Sequence, residues 1–110
     1  MGFNMSPGNV NKMMKQYQKM QQEMARVQEE LGADRVEAQS GGGMVKVVFN
    51  GHGDLQELAI QRDVVDPDDV EMLQDLILSA FREGQQRAQD LAQQKMGAVT
   101  SGLKLPGGLG

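Results

Sequence analysis

Val10, Met13, Tyr17, Met20, Met24, Val27 and Leu31 follow one another at alternating steps of three and four residues, with no position missed. That spacing lines apolar side chains along one side of an α-helix and predicts a continuous seam from Val10 to Leu31. At ~1.5 Å per residue, roughly 22 residues make a rod of about 33 Å, too long for a small sheet to cover from end to end. Part of the seam is therefore expected to meet a second chain, and Met13, Tyr17, Met20, Met24 and Val27 are the candidate dimer-interface residues. Offsetting the seam by two positions gives Lys12, Lys15, Lys19, Gln22 and Arg26, so the opposite face of the same helix is basic.

The remaining segments read as three strands and another helix. Ser6 and Pro7 fit an N-cap and first helical position, with Asn9 as a second candidate cap, and Gly32 is expected to stop the helix. Arg35 to Gln39 alternates, with Val36 and Ala38 on one side. Ser40 and Gly41 to Gly43 form a turn, and Met44 to Asn50 follows with Val45, Val47 and Phe49 sharing a face. Asn50, Gly51, His52, Gly53 and Asp54 carry a hairpin signal, after which Leu55 to Gln61 returns with Leu58 and Ile60 expected inward. Asp66 is the expected cap of the last helix and Pro67 its first residue, with Asp68, Asp69 and Glu71 complementing the positive end of the dipole. Val70, Leu73, Leu76, Ile77, Ala80, Phe81, Ala88 and Leu91 carry the apolar period to about Met96, interrupted by Gly84. The class is α+β in the order α-β-β-β-α, with a three-stranded antiparallel sheet and two long helices. Residues 1–97 form the single domain, with 1–9 a flexible N-terminus, and residues 98–110 a flexible Gly-rich tail.

Composition narrows the functional classes. The chain of 110 residues has no Cys and no Trp, which removes thiolate chemistry and Cys-ligated metals and suits the cytoplasm, the expected location. Its start lacks the basic and apolar segments of a signal peptide, and it has no run of eighteen apolar residues, so neither export nor a membrane partner is expected. His52 is the single histidine and lies in the glycine turn, which prevents a multi-histidine metal site within one chain. Asp66, Asp68 and Asp69 break the calcium-loop pattern and read as a helix start. Gly41 to Gly43 lead into a strand and lack the Lys-Ser or Lys-Thr of a phosphate loop. Ser40, Ser79 and Thr100 belong to no nucleophile elbow. No catalytic role, cofactor, metal or small-molecule substrate is expected.

The formal net charge is -4, yet the charges are segregated. Residues 10–22 carry Lys12, Lys15 and Lys19 with no acid, whereas residues 63–75 carry Asp63, Asp66, Asp68, Asp69, Glu71 and Asp75 with no base. Salt screens charges beyond about 8–10 Å, so a ligand on the basic face need not feel the acidic cluster. Lysines opposite an apolar face often serve solubility alone, but a row of them is also what phosphates select, and two-fold symmetry would double it around one duplex. Lys12, Lys15, Lys19 and Arg26 are the leading phosphate contacts. Arg82, Arg87 and Lys95 on the second helix and Lys104 in the tail rank below them because Glu83 and Asp90 intervene. No aromatic row accompanies the bases, so backbone contact with double-stranded DNA is the form expected. The nine Met residues support an alternative, a prefoldin-like chaperone or adaptor with Met-lined helices, and membrane-surface binding by the first helix ranks third.

GGGMVKVVFNG at Gly41 to Gly51, DPDDVEMLQDLI at Asp66 to Ile77 and GLKLPGG at Gly102 to Gly108 resemble the YbaB/EbfC family of bacterial nucleoid-associated proteins. The resemblance implies an α-β-β-β-α protomer, a tweezer-shaped homodimer, and DNA binding with weak sequence preference in the bacterial cytoplasm and nucleoid. It also implies phosphate-binding roles for Lys12, Lys15, Lys19 and Arg26. Two places depart from the family pattern: Arg62 stands where Pro is common, and Arg82-Glu83-Gly84 replaces an Asn-containing stretch.

Overall fold

The middle strand organises the molecule because both of its neighbours and a helix depend on it. In the computed structural model, which describes residues 7–102, strands β1 (Val36–Ser40), β2 (Val45–Phe49) and β3 (Leu55–Ile60) form one antiparallel sheet in the order β1-β2-β3. Helix α1 (Pro7–Ala33) precedes the sheet and helix α2 (Val70–Gly102) follows it. The predicted α-β-β-β-α order is the observed one. The chain is elongated, 77 × 23 × 19 Å.

The β-branched Val45 and Val47, together with Phe49, point to one face and are fully buried there, as their alternation requires. With Ala38, Val64, Ala80 and Ala88 they form the core, against which Val36, Leu73, Leu76, Ile77 and Phe81 pack. Phe49 meets Phe81 edge to face, with ring centroids 5.1 Å apart and planes at 69°. Gly84 explains why α2 can lie so close. A Cβ at that position would come within 2.6 Å of the Phe49 ring and 3.0 Å of Val47. The glycine that breaks the apolar period, in the stretch that departs from the family pattern, is therefore the contact point between helix and sheet.

The link between β1 and β2 turns through Gly41, Gly42 and Gly43, whose φ values of 59°, 67° and 95° lie where side chains are rarely tolerated. Ser40 Oγ donates to the carbonyl of Leu76 at 2.6 Å and pins this turn to the start of α2. At the other end of the sheet, Asn50 Oδ1 accepts from the amides of His52 and Asp54, both at 3.0 Å, and shapes the hairpin. The Gly51 amide donates to the Leu31 carbonyl at 2.7 Å, which ties that hairpin to the end of α1. α1 and α2 then run antiparallel, held by Lys95 Nζ donating to Asp34 Oδ2 at 2.7 Å and to Glu30 Oε2 at 3.3 Å.

Several expectations change. Gly32 does not stop α1, which ends one residue later, with the Asp34 amide bonded to the Glu30 carbonyl at 2.9 Å. Pro7 to Asn9, expected within the N-terminal segment ahead of the domain, are the first residues of α1, where a proline at the first position fits a helix start. Asp66 and Pro67 form a separate turn, in which the Asp68 amide bonds to Asp66 Oδ1 at 2.9 Å. The cap of α2 is Asp69, whose Oδ1 accepts from the Met72 amide at 3.2 Å. α2 also continues past Gly97 to Gly102, with Thr100 and Ser101 bonding back to the carbonyls of Met96 and Gly97. Leu58 and Ile60 are not covered: they lie on the same face as Val47 and Val45, yet every residue of β3 is exposed because α2 packs over β1 and β2. Ser6 and Lys104 lie outside the described residues.

Replacing Gly84 by Val should lower the free energy of unfolding by about 1–3 kcal/mol through overpacking. At Gly97, where an added Cβ meets nothing within 4 Å, Ala should instead raise it by about 0.5–1 kcal/mol through helix propensity. Urea unfolding followed by circular dichroism measures both; a neutral Gly84→Val would remove the close-approach explanation.

Candidate nucleic-acid interface

α1 divides into two halves with different surroundings. Its C-terminal half packs on α2 and buries Val27 and Leu31, 3% and 2% exposed. Its N-terminal half projects beyond the end of α2, and residues 8–19 are all exposed, so this half is an arm. At 100° per residue, Lys12, Lys15 and Lys19 fall within about 60° of one another and span about 10 Å along the axis. Arg26 continues the same line about 10 Å further on. α1 has no acidic residue in its first turn, so the positive end of its dipole is uncompensated by a local carboxylate.

Ion pairing separates the eight predicted DNA-contacting cations into distinct groups. Lys12, Lys15 and Lys19 make no ion pair among the described residues, and neither does Arg82. Arg26 bonds to Glu23 at 2.8 Å and to Glu30 on its own helix. The hydrogen bond and charge of Arg26 hold the Glu23 carboxyl below its ordinary value, and Glu23 in turn raises Arg26. Arg87 is committed to the protein: Nη1 donates to the Glu37 carbonyl at 2.8 Å and Nη2 to Glu83 Oε1 at 2.8 Å. Lys95 is committed as well, to Asp34 and Glu30. The structure thus brings Lys12, Lys15, Lys19 and Arg26 onto one face of one helix, and does not bring Arg87 or Lys95 to it. Arg62, which in the sequence stood out only as a departure in a turn, is an exposed cation that makes no ion pair among the described residues. Its position directly before the acidic run was the available signal.

The candidate dimer residues are also divided. Met13 and Tyr17 are 55% and 64% exposed and line an apolar groove on the arm with Val10 and Met14. Met20 and Met24 are half-buried. Val27 has no surface left for a second chain, because α2 already covers it beside Ala98 and Val99.

Comparison with known proteins places these features in context. The model of the YbaB/EbfC DNA-binding family matches residues 5–103. A nucleoid-associated protein of Pelotomaculum thermopropionicum is 54% identical over 103 residues, covering 94% of this chain and 98% of its own. One from Bacillus thuringiensis is 53% identical over 102 residues, covering 93% and 94%. The crystal structure of an uncharacterized protein from Helicobacter pylori superimposes with a TM-score of 0.71 at 25% identity, covering 88% of this chain and 99% of that one.

The Lys95 clasp has a testable pH dependence. Hydrogen bonding to Asp34, reinforced by Glu30, raises the Lys95 pKa above its ordinary value. A group raised on folding stabilises fully below its unfolded pKa and loses that contribution as pH climbs through the folded value. Between about pH 9 and 12 the wild-type urea midpoint should therefore fall more steeply than that of Lys95→Gln. Equal slopes would show that the clasp carries no stability.

Proposed function

The chain belongs to the YbaB/EbfC DNA-binding family, and from that premise we propose that it is a non-enzymatic nucleoid-associated protein that binds double-stranded DNA as a homodimer through the lysines of α1. The observation that carries this reading is the arm: three aligned lysines, no acid from residue 8 to residue 22, and no intramolecular ion pair among the described residues to be broken before a phosphate is met. An ammonium on a phosphate releases condensed counterions, which supplies affinity that falls steeply with salt. Such contacts carry no base information, so sequence preference is weak. Arg26 is a weaker contact because Glu23 and Glu30 compete for it, and Arg82 and Arg62 are secondary sites. Arg87 and Lys95 serve the fold. The place of action is the bacterial nucleoid.

The exposed stripe of Val10, Met13, Met14 and Tyr17 favours one other reading, capture of apolar client segments. Suppression of client aggregation without any duplex shift would support that reading over DNA binding.

Replacing Lys12, Lys15 and Lys19 together by Ala should weaken binding at least tenfold, equally on unrelated duplexes. At ~0.9 per phosphate contact, losing up to six contacts per dimer should flatten the salt slope by about 3–5. Arg87→Gln should change affinity less than twofold. Gel shifts at two or more salt concentrations measure both, and a triple variant that binds like the wild type would end the arm assignment.

A further inference from the structure

The apolar stripe of the arm continues the face of α1 on which α2 packs. At 100° per residue, Met13 and Tyr17 fall within about 40° of Met24 and Leu31. Cover along this face fades towards the N-terminus. Leu31 and Val27 are buried, Met24 and Met20 are half-buried, and Val10, Met13, Met14 and Tyr17, 37% to 64% exposed, line an open groove. The groove therefore lies in line with α2, beyond the last residue described for that helix.

α2 delivers the chain to this groove. Val99 lies beside Val27 in the antiparallel helix pair, so Gly102 stands near the level of Met24. From that level, at ~1.5 Å per residue along α1, Tyr17 is about 10 Å away and Val10 about 21 Å. Residues 103–110 come next, and in extended form, at ~3.3 Å per residue, they span about 26 Å, enough to cover the stripe. Their sequence suits the path. Pro106 cannot continue a helix and has no amide to leave unbonded against an apolar surface. Leu103 and Leu105 alternate with Lys104, so an extended chain turns both leucines one way and the ammonium the other.

We infer that the segment from Leu103 to Leu109 docks along the arm of its own chain, with Leu103 beside Met20, Leu105 beside Tyr17 and Leu109 towards Val10. A segment on so short a tether competes at an effective concentration on the order of millimolar, which gives it the advantage over a free apolar peptide. The methionines of the groove adapt to an irregular partner of this kind. Lys104, turned outward, then joins the cations of the arm. The inference concerns the apolar side of α1 and holds whether or not the basic side meets DNA.

Tyr17 is the single tyrosine and the chain has no Trp, so the tyrosine fluorescence of the full chain reports on the groove. Leu105→Ser should roughly double the acrylamide quenching constant of Tyr17, because a ring that loses an apolar neighbour gains solvent contact. Leu103→Ser should raise it as well, and Lys104→Ser, on the outward side, should leave it unchanged. Helical circular dichroism should stay at the wild-type value in all three. Equal quenching in wild type and Leu105→Ser would overturn the inference. Quenching that ignores both leucine substitutions and falls as protein concentration rises would overturn it too, and would give the groove to a second copy. In a mixture of Tyr17→Phe with Leu105→Ser only the second species reports, and its quenching should stay high. Protection on mixing would show that the segment comes from another copy and would overturn docking within one chain.

Discussion

α2 crosses the sheet with Gly84 against Phe49, and most of the chain's geometry follows from that contact. Glycine lets the helix sit low over β2, where Phe81 can meet Phe49 edge to face and Ala80 and Ala88 can be fully buried. A helix placed there has width for two strands and leaves the third bare. The same helix then runs on past the sheet and provides the surface for the second half of α1. The bare strand and the projecting arm are both products of where α2 lies.

Charge is distributed in step with this geometry. The basic arm extends beyond the C-terminal end of α2, whereas the acidic run of residues 63–75 lies at its N-terminal end, near the Gly41 turn to which Ser40 ties Leu76. Some 23 helical residues from Leu76 to Val99, at ~1.5 Å each, already separate the acidic end from the start of the arm by about 35 Å. That is several screening lengths at physiological salt. An acidic protein of net charge -4 can thus present a locally cationic surface, while three of the cations lying between the two ends, Arg26, Arg87 and Lys95, are held by neighbouring carboxylates.

The elements with strong local signals were legible in the sequence. The three-and-four seam predicted α1, alternation predicted β1 and β2, and the glycine-rich turns predicted the hairpins. What was not legible depends on packing between distant segments. Leu58 and Ile60 have the pattern of inward residues and do face the core side, but whether a helix reaches them is decided by Gly84 and by the path of α2. Asp66 and Asp69 are equally good caps by residue type; Pro67 favoured the first, and the backbone chose the second after an extra turn. Gly97 ended the apolar period but not the helix, because one glycine costs only about 1 kcal/mol relative to Ala.

The seam of α1 shows how one periodic pattern can serve two purposes. From Val27 to Leu31 it is core of its own chain, and from Val10 to Tyr17 it is exposed beside a basic face. A pattern read from sequence says that an apolar stripe exists; it does not say how far the partner helix extends. α2 is described as far as Gly102, near the level where Val99 meets Val27, and the change lies there. Beyond it, Lys12, Lys15 and Lys19 make no ion pair among the described residues. On such a surface the helix is already formed and its cations already point away from the apolar stripe.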